Sequence, residues 1–243
     1  MKCLVVITLL LSFATLSGAA STQNSNPAFE MDTYQMGFLK RGPKWSAEKT
    51  EETKRIQSGH MAHLTRMSES GKLVGAGPLL DGGELAGILI FKGVSLEEAK
   101  SLAEEDPAVK AGRFVVEMHT WWGPKGIGDK YAEEHKKNPS AQVQMITYQF
   151  GLLVRGQKWT AEQTPELKKL QEDHLSHIRE MGESGKLVAA GPFGDNGHIR
   201  GILIFRAESL DEARMMAEGD PAVKAGRLTL EIHPWMAARG VMP

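Results

Sequence analysis

The sequence predicts an α+β protein in which two tandem βαββαβ units pair through their sheets inside one chain. Three observations carry that prediction. The stretch DPAVKAGR occurs twice, at Asp106 and at Asp220. One gap-free offset of 114 residues aligns 31–121 with 145–235, with more than half of the positions identical. Each copy also alternates short apolar runs with stretches of helical period, in the same order.

The elements follow one another alike in both copies. TYQMGFL and TYQFGLL predict a first strand, and RGPKWSAE and RGQKWTAE a loop after it. Ile56, His60, His63, Leu64 and Met67 then fall on one helical face, as do Leu170, His174, His177, Ile178 and Met181. Thr164-Pro165 reads as a cap followed by a first-turn proline, and Gly71 and Gly185 end these helices. KLVGAGP predicts a strand, LLDGG and FGDNG hairpin turns, and GILIF a strand apolar on both faces. SLEE and SLDE are capping boxes that open a second helix, which stops at Asp106-Pro107 and Asp220-Pro221. RFVVEMH and RLTLEIH supply the last strand, completing a ferredoxin-like pattern.

Such a unit covers one sheet face with its helices and leaves the other bare. Burial yields about 25 cal/mol per Å² of apolar surface, so pairing two bare faces rivals the stability of a small domain. Fusion raises the effective concentration of the second copy to roughly millimolar, and the faces are expected to pair as an intramolecular pseudo-dimer. The residues between the copies, 122–144, are polar and broken by Gly and Pro, and read as a linker with one short helical turn.

Composition narrows the function classes. The 243 residues carry a formal charge of -1 with lysines and arginines spread over both halves, which excludes a nucleic-acid surface. Residues 1–20 read as a cleaved export signal: Lys2, an apolar run too short to span a bilayer, then Ser17-Gly18-Ala19-Ala20. The expectation is an exported protein, periplasmic or secreted, with no membrane association after cleavage. Cys3, the one cysteine, lies in that signal, so mature protein would have no disulfide and no thiol nucleophile. No phosphate loop, dinucleotide fingerprint or nucleophile elbow is present, and no cofactor is expected.

The unusual residues are the histidines on the first helix. Two imidazoles on an apolar stripe must each find a partner. The ordinary reading is a buried histidine satisfied by backbone or carboxylate. A metal reading uses the His-x-x-His spacing, with His119 or His233 as a third ligand, but no cysteine lies nearby and no metal is assigned. Asp106 and Asp220 have an ordinary reading too, as N-caps before a first-turn proline, with Gly112 ending the short turn. Arg41, Lys44 and Trp45, matched by Arg155, Lys158 and Trp159, could close over an anionic or aromatic ligand or simply pack and solvate the loop.

Taken together, the helix histidine, the GKL turn, the GP after the second strand, the S-L-x-E-A helix start and DPAVKAG resemble the YCII-related domain family, of the dimeric α+β barrel group. The resemblance covers both copies almost end to end. It implies ferredoxin-like domains paired sheet to sheet and an active-site dyad, His60 with Asp106 and His174 with Asp220, in a cleft. His63 and His177 stand outside that dyad and, with Arg41, Lys44, Trp45, Arg155, Lys158 and Trp159, are secondary substrate-binding candidates. Two readings follow. One is a cofactor-free enzyme that uses each dyad as general acid and base on a small, partly apolar or aromatic molecule. The other is a non-catalytic ligand-binding or structural pseudo-dimer. Whether further copies associate is not legible in the sequence.

Overall fold

The computed structural model describes residues 30–243; the export signal expected at 1–20 lies outside the described residues. The first copy runs β1 (Met31–Arg41), α1 (Glu51–Glu69), β2 (Leu73–Pro78), β3 (Leu85–Lys92), α2 (Leu96–Glu104), α3 (Pro107–Lys110) and β4 (Phe114–Pro124). A connecting helix, α4 (Asp129–Lys137), follows. The second copy repeats the order as β5 (Met145–Arg155), α5 (Pro165–Glu183), β6 (Leu187–Pro192), β7 (Ile199–Phe205), α6 (Leu210–Glu218), α7 (Pro221–Lys224) and β8 (Leu228–Ala238).

The helices start where the caps predict. The Thr50 and Thr164 side chains accept from the N–H groups of Thr53 and Leu167, and Ser95 and Ser209 accept from Glu98 and Glu212. Gly71 and Gly185 take positive φ just past α1 and α5. Connecting helix α4 is longer than the single turn expected of the linker. Its Asp129 sits at the positive end and His135, Lys136 and Lys137 at the negative end of the helix dipole. Backbone bonds from Gly128 and Tyr131 to the carbonyls of Val241 and Gly240 then hold it on the C-terminal segment. That support is tertiary, and a polar sequence without an apolar stripe does not announce it.

Each copy forms a four-stranded antiparallel sheet, ordered β2-β3-β1-β4 and β6-β7-β5-β8. The pairing of the two sheets is more specific than two stacked faces. Edge strand β4 meets edge strand β6, and β8 meets β2, so the eight strands close on themselves as a barrel. Backbone bonds cross both seams: Leu80 N–H to the Pro234 carbonyl (2.9 Å) and Gly194 N–H to that of Thr120 (2.8 Å). Closure removes every exposed sheet edge. The Trp121 and Trp235 indoles donate across the seams to the carbonyls of Gly191 and Gly77. Those two glycines are required by contact: a Cβ on either would lie 1.8 Å from a carbonyl oxygen of the opposing strand, Met236 for Gly77 and Trp122 for Gly191.

The barrel interior is one apolar cluster drawn from both copies, including Tyr34, Phe38, Trp121, Tyr148, Phe150 and Trp235. Two smaller cores lie outside it, between each sheet and its helices. Among the described residues no helix is long and apolar enough to cross a membrane.

Candidate functional site

Helix α1 turns His60, His63 and Met67 inward, and α3 packs beside it. His60 Nδ1–H donates to Asp106 Oδ2 over 2.6 Å, while Asp106 Oδ1 accepts the Ala108 N–H over 2.7 Å. One carboxylate therefore caps α3 with one oxygen and orients an imidazole with the other. Proline fits at the first helical position because its missing N–H is not needed there. The second copy repeats the geometry: His174 Nδ1 to Asp220 Oδ2 at 2.5 Å, and Ala222 N–H to Asp220 Oδ1 at 2.7 Å.

The electrostatics favour an ionised carboxylate. Burial opposes the charge on Asp106, but the hydrogen bond and charge of His60, with the Ala108 N–H, outweigh it and hold the carboxyl below its ordinary range. Asp106 is 2% exposed and the His60 side chain 10%. The His60 and His174 Nε2 atoms have no hydrogen-bond partner among the described residues, and neither is sealed from solvent. Each ring thus has its tautomer set from behind and one nitrogen open in front.

The neighbouring histidines are used differently. His63 Nε2–H donates to the Leu102 carbonyl and His177 Nε2–H to that of Met216, both over 2.8 Å, pinning α1 to α2 and α5 to α6. These rings are turned to the seams between helices. The possible third metal ligands lie elsewhere again. His119 and His233 project from the opposite sheet face to the helices, and no group of three or more potential metal ligands occurs among the described residues. Strand alternation sends Phe114, Val116 and Met118 toward the helices and His119 away from them, so the strand histidine does not join the helix pair.

His119 and His233 instead reach into the other copy. His119 Nδ1 lies 2.6 Å from Asp195 Oδ2 and its Nε2 3.0 Å from Glu117, which Lys40 also holds. His233 Nδ1 lies 2.5 Å from Asp81 Oδ2. Asp81 and Asp195 belong to the LLDGG and FGDNG turns, so each hairpin tip of one copy clasps a strand histidine of the other. The sequence contains these residues at matched positions, but cross-copy pairing has no signature in spacing.

The loop after β1 brings Trp45 under two guanidiniums, Arg41 at 4.7 Å and Arg113 at 5.0 Å from the ring centre. Trp45 packs on Phe114, and Phe114 on His60, with ring centres 5.5 and 5.8 Å apart. Lys44 lays its methylenes along Gly112. An open cleft of about 710 Å³ lies beside Trp45, lined also by Lys49, Thr53, Gln57, Ser58 and Arg113. It sits along α1 just N-terminal of His60, whose ring is separated from Trp45 by Phe114. In the second copy Arg155 stands 5.2 Å from Trp159, and Lys158 lies along Gly226.

Sequence reasoning missed Arg113 and Arg227. The signal was present, since each is the final letter of the repeated DPAVKAGR. Both guanidiniums donate back to the first loop, to the Ser46 and Thr160 carbonyls over 2.8 Å. The eight residues thus join a helix cap, a dyad carboxylate and an indole-stacked cation.

Solved structures with the same fold include a variant chlorite dismutase from Candidatus Nitrospira defluvii, at TM-score 0.54 and 11% identity, covering 85% of this chain and 92% of that one. Chlorite dismutase from the same source in complex with imidazole aligns at TM-score 0.54 and 10% identity, over 89% and 93% of the two chains. At such identities the likeness is one of fold: two units closed into a dimeric α+β barrel. A search of curated proteins finds no match. The model of the YCII-related domain matches residues 39–121 and again 149–236, the two halves that carry the dyads, and the chain belongs to that family.

Proposed function

We propose that the protein is an exported small-molecule enzyme that uses each His–Asp dyad as a general acid and base. The observation that carries this reading is the division of labour around His60 and His174: Nδ1 committed to a buried carboxylate, Nε2 left open to exchange a proton. Such a group supplies roughly 10²- to 10⁴-fold in rate, enough for elimination, isomerisation or hydrolysis of an activated molecule. Substrate would enter along the cleft beside Trp45, where an indole flanked by Arg41 and Arg113 suits a partly aromatic molecule with an anionic group. Asp106 stays ionised, holds the tautomer and stabilises the imidazolium formed when Nε2 takes a proton.

A second reading has its own observation. The dyad is mostly buried, and through α3 it ties the DPAVKAGR segment to α1, as a purely structural clamp would. A thermal-shift screen of phenols, quinols, lactones and small carboxylates separates the two. A catalytic or binding site gives ligands that raise the midpoint of the wild type and not of His60→Ala/His174→Ala, with the variant still folded. A structural clamp gives no ligand shift and a variant destabilised by ~1–3 kcal/mol.

A further inference from the structure

The two loop tryptophans differ in one respect that the dyad does not explain. Trp45 has two guanidiniums about it, whereas Trp159 has three: Arg227 at 4.6 Å, Arg200 at 4.9 Å and Arg155 at 5.2 Å from the ring centre. The position matching Arg200 in the first copy is Ala86. An indole has two faces, so at least two of the three cations crowd one face or its edge. Burial lowers the pKa of Arg200, and the charges of Arg155 and Arg227 lower it further against the opposing pull of Asp195.

Among the described residues no carboxylate lies within ion-pair distance of the three guanidiniums. Their hydrogen bonds go to backbone carbonyls: Arg155 to Asn196, Arg200 to Asp195 and Arg227 to Thr160. Arg155 Nε and Arg227 Nη1 are sealed from solvent and have no partner among the described residues. The nearby Asp195 side chain is committed elsewhere, Oδ2 to His119 and Oδ1 to the Gly197 N–H. Three half-buried cations without a carboxylate partner are costly unless an anion joins them.

We propose that the Trp159 box, between the loop after β5 and the β6–β7 turn, is a binding site for a small dianionic oxyanion of the phosphate-monoester class. Guanidinium forks match phosphate oxygens bidentately, and two negative charges offset the three positive ones better than one would. The site belongs to the second copy: in the first, Ala86 replaces the third arginine and Arg41 is exposed.

The test is calorimetric titration of the full chain with inorganic phosphate at constant ionic strength, with a thermal-shift readout in parallel. Saturable binding at one site per chain is expected, with Kd near or below ~1 mM. Arg200→Ala should weaken it by about tenfold or more, and Arg41→Ala should leave it unchanged. Arg200→Ala installs the residue the first copy carries at this position, and without phosphate it should unfold no earlier than wild type because it relieves repulsion. Absence of saturable binding would overturn the proposal. So would equal weakening by Arg41→Ala and Arg200→Ala, which would mean diffuse attraction to basic loops. Binding of malonate in place of phosphate would make this a carboxylate site and defeat the phosphate assignment. The dyad histidines take no part, so His60→Ala/His174→Ala should bind phosphate normally even where the proposed catalysis fails.

Discussion

Asp106 accepts from a histidine and from a helix N–H at once, and the two tasks respond differently to substitution. Asparagine keeps one oxygen for the Ala108 N–H but cannot hold a charge beside His60. Asp106→Asn should therefore lower turnover, on a substrate found by the ligand screen, by about 10²-fold or more. Its stability cost should be ~1–3 kcal/mol. A rate loss no larger than the loss of folded protein would return the pair to a structural role. The pH dependence has a defined sign. Because the folded carboxyl is held below its unfolded value, its contribution to stability is complete above the unfolded pKa and is lost as pH falls through the folded one. Denaturant titrations should show wild type losing stability on acidification by more than Asp106→Asn does, the difference being confined to the acidic limb.

At the scale of the element, the seams of the barrel depend on two strands approaching more closely than side chains allow. Gly77 and Gly191 each face a carbonyl of the opposing strand, beside the tryptophan indole that donates across the same seam. Gly191→Ala must push β4 and β6 apart and weaken the Trp121 bond. The expected cost is ~3 kcal/mol or more, at the upper end of overpacking penalties, measurable as a lowered denaturant midpoint. The glycine is visible in the repeated G-P pair after the second strand of each copy, but its reason is not. A sequence reading assigns it to a strand end, whereas the constraint is an opposing backbone more than 40 residues away. The helix caps are the contrasting case. Thr50, Ser95, Thr164 and Ser209 act on N–H groups three residues on, so local sequence contains the whole interaction. Ser209→Ala should accordingly cost only ~1 kcal/mol.

Across the whole molecule the two copies share one core, and neither half can keep the barrel interior dry alone. Thermal unfolding followed by near-UV and far-UV circular dichroism should give one coincident transition; separated transitions would show halves that fold independently. Residues 30–124 expressed alone should self-associate, with a second copy replacing the missing sheet. The clasps add a dependence on acid. At Asp81 and Asp195 burial opposes ionisation, but His233 and His119 together with turn N–H groups prevail and hold both carboxyls low. Glu117 is held low chiefly by Lys40, against some burial, and also by His119. The clasps' contribution is present above the unfolded carboxylate pKa values and lost as pH falls through the folded ones. Asp81→Asn/Asp195→Asn should unfold earlier than wild type at neutral pH and converge with it in acid.

Sequence by itself determined the duplication, the order of elements and the caps, because each is carried by identity at one offset or by interactions spanning a few residues; the dyad candidates came from the resemblance to the YCII-related domain family. Only the tertiary structure decided how the copies meet. Joining edge to edge makes a closed barrel and sends His119 and His233 to hairpin tips of the opposite copy. These arrangements bring together residues from about 70 to more than 150 positions apart, and no local period records such a distance. Backbone hydrogen bonding decides them, because an uncovered sheet edge must pair, and once the edges pair the side chains on them have no choice of partner.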